Sequence, residues 1–380
     1  MSSVQGSDIS TVPGGRFGGY SSGVAWFVFA LSAVIFFVAI WLVVPAPTMT
    51  LLPLAVGGPE MSPLLLLPAL FVAYLAWRTR GRPRPASLGL SAVAIVLFVV
   101  PMVQYPRTAP LSVTTLLAGI DMGQSRLLRN VPLGAPGGVP LTTDIYRPMT
   151  DGPHPAIVQI YGGAWQRGAP ANDGAFAARL ASRGYVVFAI DYRHAPEWQW
   201  PAQLDDVRLA LAWVRENGPQ YGADASQLAL FGRSSGSQLA MVAGLQDPGV
   251  KAIISFYGPV NLTNGWLHPP RPDPIGSRSV LESFLGGTPA QLPDRYREAS
   301  PMSYVSANAP RTLLIYGSRD HIVQPQYGRT MHAALREAGA DSELVEIPWA
   351  DHAFDALPAG LSGQLSLYHV ERFLAGVFRR

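Results

Sequence analysis

The sequence has no cysteine among its 380 residues, and charged residues make up only 14% of it. The absence of cysteine excludes disulfide bonds, thiolate–zinc sites, iron–sulfur clusters and a cysteine nucleophile. Ordinary soluble domains are about 25% charged, whereas 48% of this chain is hydrophobic. The composition therefore argues against disorder and against a purely soluble surface.

Charge is scarcest at the front of the chain, where Glu60 is the only charged residue between positions 16 and 78. Three apolar runs lie in this part of the sequence, at residues 24–44, 61–77 and 88–104. As a helix the first run would be about 31 Å long, enough to cross the hydrocarbon core of a bilayer. It is too long for the apolar core of a cleaved signal peptide. For each of the other two runs, a buried or re-entrant helix is an open alternative to a membrane span. We expect about three transmembrane helices within an anchor over residues 1–107.

Arginine placement predicts the orientation of these helices. Arg78, Arg80, Arg82 and Arg84 lie between the second and third runs, whereas the segment between the first and second runs has no Lys or Arg. Short loops rich in Lys and Arg stay in the cytoplasm. With three spans, the N-terminus would be cytoplasmic and everything after about residue 107 extracytoplasmic.

After a linker over residues 108–126, short β-rich runs alternate with helical patterns. The predicted strands are Leu141–Tyr146, Ala156–Ile160, Tyr185–Ile190, Leu228–Phe231, Ala252–Phe256, Thr312–Tyr316 and Glu343–Ile347. The predicted helices are Asp173–Ser182, Pro201–Glu216, Ser235–Ala243, Pro325–Ala338 and Gly363–Val377. This alternation predicts an α/β domain over residues 127–380, with a mostly parallel sheet and helices on both faces. The Pro-rich stretch 261–310 is a candidate cap over the carboxyl ends of the strands, where such sheets carry their active sites.

A serine nucleophile is indicated by the G-x-S-x-G pattern Gly232–Gly236, which follows a predicted strand and precedes a helix. A sharp strand-to-helix turn with small neighbours exposes the central side chain, here Ser234. The same pattern at Gly19–Gly23 follows no strand and indicates a flexible segment before the first apolar run. Gly162 and Gly163 come directly after another predicted strand, where a bend can turn backbone N–H groups inward as an oxyanion hole.

A base and an orienting carboxylate follow the last two predicted strands. His352 lies just beyond Glu343–Ile347, and Asp320 lies on the loop after Thr312–Tyr316. The chain order Ser234, Asp320, His352 matches one hydrolase architecture and neither of the common serine-protease orders. Each residue alone could be an ordinary polar loop residue, but their joint order predicts a Ser–His–Asp triad.

From about residue 125 onward the sequence resembles the α/β-hydrolase esterases, close to the hormone-sensitive-lipase-like and acetyl-esterase carboxylesterases. Besides the features above, the resemblance rests on the segments Asp191–Glu197, Phe256–Pro259 and Ser300–Tyr304. It implies an α/β-hydrolase fold, with Ser234 as nucleophile, His352 as base and Asp320 as its partner. It also implies an oxyanion hole formed by the backbone N–H groups of Gly163, Ala164 and Ser235.

Two positions depart from the family pattern, and three aromatic residues are pocket candidates. Tyr161 stands where the family usually has His, and Arg233 where many relatives have Asp. Trp165, His194 and Tyr257 are candidates to line the substrate pocket, with core packing as the alternative for each.

The implied reaction is acyl transfer through an acyl-enzyme, which requires neither a metal nor an organic cofactor. We therefore expect a membrane-anchored serine carboxylic-ester hydrolase whose partners are a small ester or lipid-like substrate and the bilayer. Two alternatives stay open: an acyltransferase using a sugar, lipid or cell-wall hydroxyl, and an inactive hydrolase-like binding module. Residues 108–380 carry 22 basic and 23 acidic residues, which gives no electrostatic reason to expect a nucleic-acid partner. The sequence predicts neither the oligomeric state nor the acyl and alcohol groups of the substrate.

Overall fold

The structure is a computed structural model that describes residues 22–378. Most of the second G-x-S-x-G match and the start of the predicted anchor therefore lie outside the described residues. The N-terminal helices are α1 (Ser22–Ile40), α2 (Leu52–Glu60), α3 (Ser62–Arg78), α4 (Arg84–Gln104) and α5 (Val113–Ala118). Within residues 22–378, α1 and α4 are each long and apolar enough to cross a membrane. The pair α2–α3, bent by 90°, raises the number of candidate spans to three if it counts as one broken span.

Helix α1 ends earlier than the apolar run predicts, and α2 was not predicted. Residues 41–44 form a turn because Pro45 and Pro47 follow, and a residue before proline is disfavoured in the helical region. In α2, the prolines and the Gly57–Gly58 pair are typical of a loop, yet the segment is helical because it packs against the rest of the protein.

Small residues pack the N-terminal helices together, and large apolar residues face outward. Ala39, Ala69 and Ala94 are fully buried in a shared cluster. The Ser91 hydroxyl donates to the Ser32 hydroxyl across α4 and α1 at 3.2 Å. Small interfacial residues with polar contacts between helices are typical of helices that pack within a lipid bilayer.

The sheet formed within residues 125–347 confirms the predicted α/β-hydrolase architecture. Its strands are β1 (Ser125–Gly134), β2 (Leu141–Pro148), β3 (His154–Ile160), β4 (Val186–Ile190), β5 (Ala223–Arg233), β6 (Val250–Phe256), β7 (Arg311–Gly317) and β8 (Ser342–Ile347). They form one sheet in the order β1-β2-β4-β3-β5-β6-β7-β8. Strands β3 to β8 pair in parallel, whereas β1 and β2 are antiparallel to their neighbours. The mostly parallel sheet is as predicted, with β1 as an additional edge strand.

Helices cover the sheet and extend beyond its carboxyl edge. They are α6 (Gly174–Ser182), α7 (Ala202–Asn217), α8 (Ser235–Gln246), α9 (Leu262–Leu267), α10 (Ser277–Leu285), α11 (Pro293–Glu298), α12 (Gln326–Glu337) and α13 (Leu361–Val377). Strands β3 and β4 are buried along their whole length, as expected for strands covered on both faces. The stretch proposed as a cap, 261–310, contains the short helices α9, α10 and α11.

Candidate active site

The candidate nucleophile sits on a strained turn between β5 and α8. Ser234 has φ 50° and ψ −120°, a backbone conformation that non-glycine residues rarely adopt. Its backbone N–H donates to the Phe256 carbonyl at 2.9 Å, which ties the turn to the neighbouring strand. A Cβ at Gly236 would collide with the carbonyl oxygens of Ile160 and Tyr161. Only glycine therefore allows α8 to approach the end of β3 and raise Ser234 above the sheet.

The structure brings Ser234, His352 and Asp320 together in one chain of hydrogen bonds. The Ser234 Oγ lies 3.0 Å from His352 Nε2, and His352 Nδ1 lies 2.8 Å from Asp320 Oδ2. The other Asp320 oxygen accepts the backbone N–H groups of Ile322 and Val323 at 2.9 and 2.8 Å. Burial raises the pKa of the Asp320 carboxyl, and the His352 ring and the Val323 N–H oppose that rise only in part. This geometry holds the imidazole with Nδ1 protonated and Nε2 free to accept the serine proton.

The loop after β3 faces the nucleophile. A Cβ at Gly162 would lie 2.8 Å from the Arg233 carbonyl and 3.1 Å from the Ser234 Cβ, so the loop passes directly beside the turn. Ala164 and Trp165 both have positive φ, 56° and 59°. Consecutive positive φ angles are a feature of loops whose backbone N–H groups face an anion. The N–H groups of Gly163, Ala164 and Ser235 stay the predicted oxyanion donors.

Tyr161 anchors this loop from behind. Its hydroxyl donates to Asp191 Oδ1 at 2.5 Å and lies 2.9 Å from His194 Nε2. The Tyr161 ring stacks on Tyr192 with ring centroids 4.5 Å apart. Burial raises the pKa of Tyr161, so the phenol stays protonated and remains a donor. Tyr161 therefore anchors this loop at the position where the family usually has His.

A cavity of about 340 Å³ opens over Ser234 and His352. Trp165 and Tyr257 line it, as proposed from the sequence, and the Tyr257 ring lies 4.6 Å from the His352 ring. His194 does not line it, because that ring lies behind the loop against Tyr161. His194 was a pocket candidate because it lies in a segment that resembles the family. That position alone does not show whether its side chain lines the pocket or packs behind it.

A buried ion cluster that no sequence pattern predicts lies beside the nucleophile. The Arg233 Nε donates to Asp355 Oδ2 at 2.5 Å, and Arg233 Nη1 lies 3.5 Å from Asp173 Oδ2. The Tyr257 hydroxyl donates to the other Asp355 oxygen. Burial works against the charge of Arg233, but both carboxylates outweigh it and raise the pKa of the guanidinium. The only local signal was Arg233 within the G-x-S-x-G pattern, since Asp355 belongs to no motif of its own.

The N-terminal helices also contribute to the cavity, which was not predicted. Met49 and Leu52 line it together with Ser234 and His352. No periodicity or spacing links residues so far apart in sequence. Across residues 22–378, no group of three or more His, Asp or Glu side chains is arranged to hold a metal ion.

The sheet order, the turn bearing Ser234 and its bonded histidine and carboxylate define the α/β-hydrolase class of serine hydrolases. More particularly, the chain belongs to the BD-FAE family, whose model matches residues 143–335, about half of the chain. Esterase LipQ of Mycobacterium tuberculosis is 32% identical over 269 residues, covering 66% of this chain and 62% of that protein. Esterase LipC of the same species is 32% identical over 255 residues, covering 62% of each.

The chain thus spans about three fifths of the length of these curated relatives. Among solved structures, an esterase of Pyrobaculum calidifontis superposes with a TM-score of 0.60 at 24% identity, covering 73% of this chain and 97% of that one. This likeness confirms the fold.

Proposed function

We propose that this protein is a membrane-anchored serine carboxylic-ester hydrolase with Ser234 as nucleophile, His352 as general base and Asp320 as the orienting carboxylate. The observation that carries the proposal is the continuous hydrogen-bond chain from Ser234 through His352 to Asp320. It lies at the floor of a cavity large enough for an ester. The esterase names of the two mycobacterial relatives point to the same chemistry.

The reaction follows from the positions of these atoms. Ser234 Oγ attacks the ester carbonyl carbon while its proton passes to His352 Nε2. The tetrahedral intermediate collapses as the imidazolium returns the proton to the departing alcohol, leaving an acyl group on Ser234. Water, deprotonated by His352, then attacks the acyl-enzyme, and the second collapse releases the acid and restores the serine hydroxyl.

The developing oxyanion is assigned to the backbone N–H groups of Gly163, Ala164 and Ser235. Each well-placed donor is worth roughly 3–4 kcal/mol in the transition state. The positive φ angles of the loop and the bond from Tyr161 to Asp191 hold these groups in place before substrate arrives. Preorganisation of this kind is what makes backbone donors effective.

Membrane anchoring is supported by the surface of the N-terminal helices. Phe27, Leu67 and Val96 are 64%, 65% and 60% exposed, one on each of α1, α3 and α4. An apolar exterior over a small-residue interior suits lipid contact. The turn containing Arg80 and Arg82 joins α3 to α4, so the positive-inside rule assigns that end to the cytoplasm and the hydrolase domain to the opposite side.

Two experiments test this proposal. Purified full-length protein should hydrolyse p-nitrophenyl acetate and react with a fluorophosphonate probe. Ser234→Ala should lose both, while Ser226→Ala, at an exposed position on β5, should keep both. Labelling of the Ser234→Ala variant would refute the assigned nucleophile, and product analysis with added alcohols would detect acyl transfer in place of hydrolysis. For orientation, protease added to intact spheroplasts should digest the hydrolase domain, and full protection would refute the topology.

A further inference from the structure

The segment that connects α1 to α2, together with the first residue of α2, lies beside the candidate active site; we name these residues, 41–52, the juxtamembrane segment. Two of its residues, Met49 and Leu52, form part of the cavity wall above Ser234 and His352. Leu52 also packs against the core of the hydrolase domain. The part of the chain that would emerge from the bilayer thus contributes directly to the substrate pocket.

Hydrogen bonds hold the juxtamembrane segment against the loop that carries Asp320. Arg319 Nη2 donates to the Val43 carbonyl at 2.6 Å, and His321 Nε2 lies 3.2 Å from the Ala46 carbonyl. These two residues flank Asp320, whose own carboxylate points the other way, toward His352. The position of the segment relative to the triad is therefore specified by side chains adjacent to the triad itself.

The cavity wall is mostly apolar on two sides. Met49 and Leu52 contribute on the side of the juxtamembrane segment, and Ile275, Val280 and Leu281 contribute from the stretch 261–310. These five side chains offer contact to an alkyl chain and cannot hydrogen-bond to the hydroxyl groups of a sugar. This part of the wall favours an acyl group with a long hydrocarbon chain.

Met49 connects the cavity to the protein surface, because it lines the cavity and is 41% exposed. Other exposed lining residues, Arg167, Asn172, His268 and Gln324, are polar, so the one large apolar side chain among the exposed lining residues of the described chain belongs to the juxtamembrane segment. An exposed apolar side chain at a pocket mouth offers contact to an apolar partner. Since α1 ends immediately before the juxtamembrane segment, that partner is the adjacent lipid surface.

We propose that the substrate is an ester embedded in the bilayer, and that its acyl chain enters the cavity directly from the membrane along Met49 and Leu52. The inference rests on the esterase function and anchoring proposed above. It deepens them by assigning the acyl side of the pocket and the direction of entry. The class of substrate is an amphiphile with a long alkyl acyl chain and its ester group near the membrane surface.

The test uses the full-length chain in vesicles of a dialkyl ether phosphatidylcholine, whose lipids contain no ester. Two substrates are compared: 4-methylumbelliferyl palmitate dissolved in the bilayer and p-nitrophenyl acetate in solution. Met49→Asp should lower the ratio of kcat/KM for palmitate to that for acetate at least tenfold, and Met49→Leu should preserve the ratio. Met149→Asp is the matched control, because Met149 is 47% exposed and lies outside the cavity lining; it should leave the ratio unchanged.

The outcomes separate the two proposals. A ratio unaffected by Met49→Asp, or an equal loss on both substrates, would overturn the assignment of an acyl wall while leaving esterase function intact. If wild-type protein hydrolyses neither substrate, esterase function fails, and the wall is tested by binding alone. In that case Ser234→Ala should bind a pyrene-labelled hexadecyl ether in the same vesicles. Adding Met49→Asp should weaken that binding several-fold, and unchanged binding would overturn the inference.

Discussion

The buried pair between Arg233 and Asp355 gives a sharp prediction about stability. Both side chains are only 3% exposed, and Arg233 Nε donates to Asp355 Oδ2 at 2.5 Å. The guanidinium carbon also lies 4.2 Å from the ring centroid of Phe231. Replacing Asp355 by Leu leaves the guanidinium in an apolar site with only a longer contact to Asp173 at 3.5 Å. The Tyr257 hydroxyl loses its acceptor at the same time.

The expected cost can be estimated from the behaviour of buried ion pairs. Removing one partner typically destabilises a protein by about 3–5 kcal/mol, because the other charge stays buried and uncompensated. For a domain of this size each kcal/mol lowers Tm by roughly 2–4 °C, so Asp355→Leu should lower Tm by about 6–20 °C. Replacing both partners removes both charges, so Arg233→Met with Asp355→Leu should recover about half of that loss or more.

The measurement is thermal and guanidinium unfolding of the full-length protein in detergent, followed by tryptophan fluorescence. The matched control is the exposed pair of Arg297 and Asp294, whose side chains are 68% and 79% exposed. Asp294→Leu should cost less than about 1 kcal/mol. The reasoning would be refuted if the double variant lost as much free energy of unfolding as the two single variants together. It would also be refuted if Asp355→Leu alone lost under about 1 kcal/mol.

Three further predictions concern the triad and its surroundings. Asp320→Asn should lower kcat for p-nitrophenyl acetate by about 10⁴-fold, since an amide no longer selects the required tautomer of His352, and a loss below tenfold would contradict that role. Tyr161→Phe removes the donor to Asp191 and should cost about 1–3 kcal/mol in urea unfolding while lowering kcat more than it changes KM; unaltered stability would argue against the anchor. Burial lowers the pKa of His321, but its bonded carboxylate outweighs this and the net shift is upward from 6.5. The stabilisation by protonated His321 is complete below pH 6.5 and is lost as pH rises through the folded-state pKa. His321→Gln should therefore make the free energy of unfolding depend less on pH across this interval, and an unchanged pH profile would contradict this role of His321.

The parts of the fold that could be predicted are those whose pattern is local. The strands β3 to β7 are buried along most of their length, so each has a continuous apolar run that stands out in the sequence. Edge strand β1 is largely exposed and contains Asn130, at φ 54°, and Pro132, so its pattern matches neither a buried strand nor an alternating one. The strands before Ser234 and Asp320, β5 and β7, are thus among the easiest to find, whereas β8, before His352, is a half-buried edge strand.

The candidate triad could be predicted from the sequence because the order of the strands determines which loops lie close together. Residues that follow successive parallel strands arrive at the same edge of the sheet. Ser234, Asp320 and His352 each follow such a strand, and the structure brings them within hydrogen-bonding distance. His194 also follows a strand, β4, yet it lies behind the oxyanion loop, because position after a strand does not determine which way a side chain points.

Contacts between segments far apart in the sequence could not be predicted. They change the interpretation of the N-terminal helices. Glu60 is fully buried, and its carboxylate accepts the backbone N–H of Ser362 at the start of α13 at 2.6 Å. Tyr105 stacks on Trp349, with ring centroids 5.9 Å apart. Trp349 lies three residues before His352. A flexible tether would need none of these contacts. The helices that the composition indicates as an anchor therefore also support α13, the loop that carries His352 and one wall of the cavity. Loss of these helices would remove part of the candidate active site.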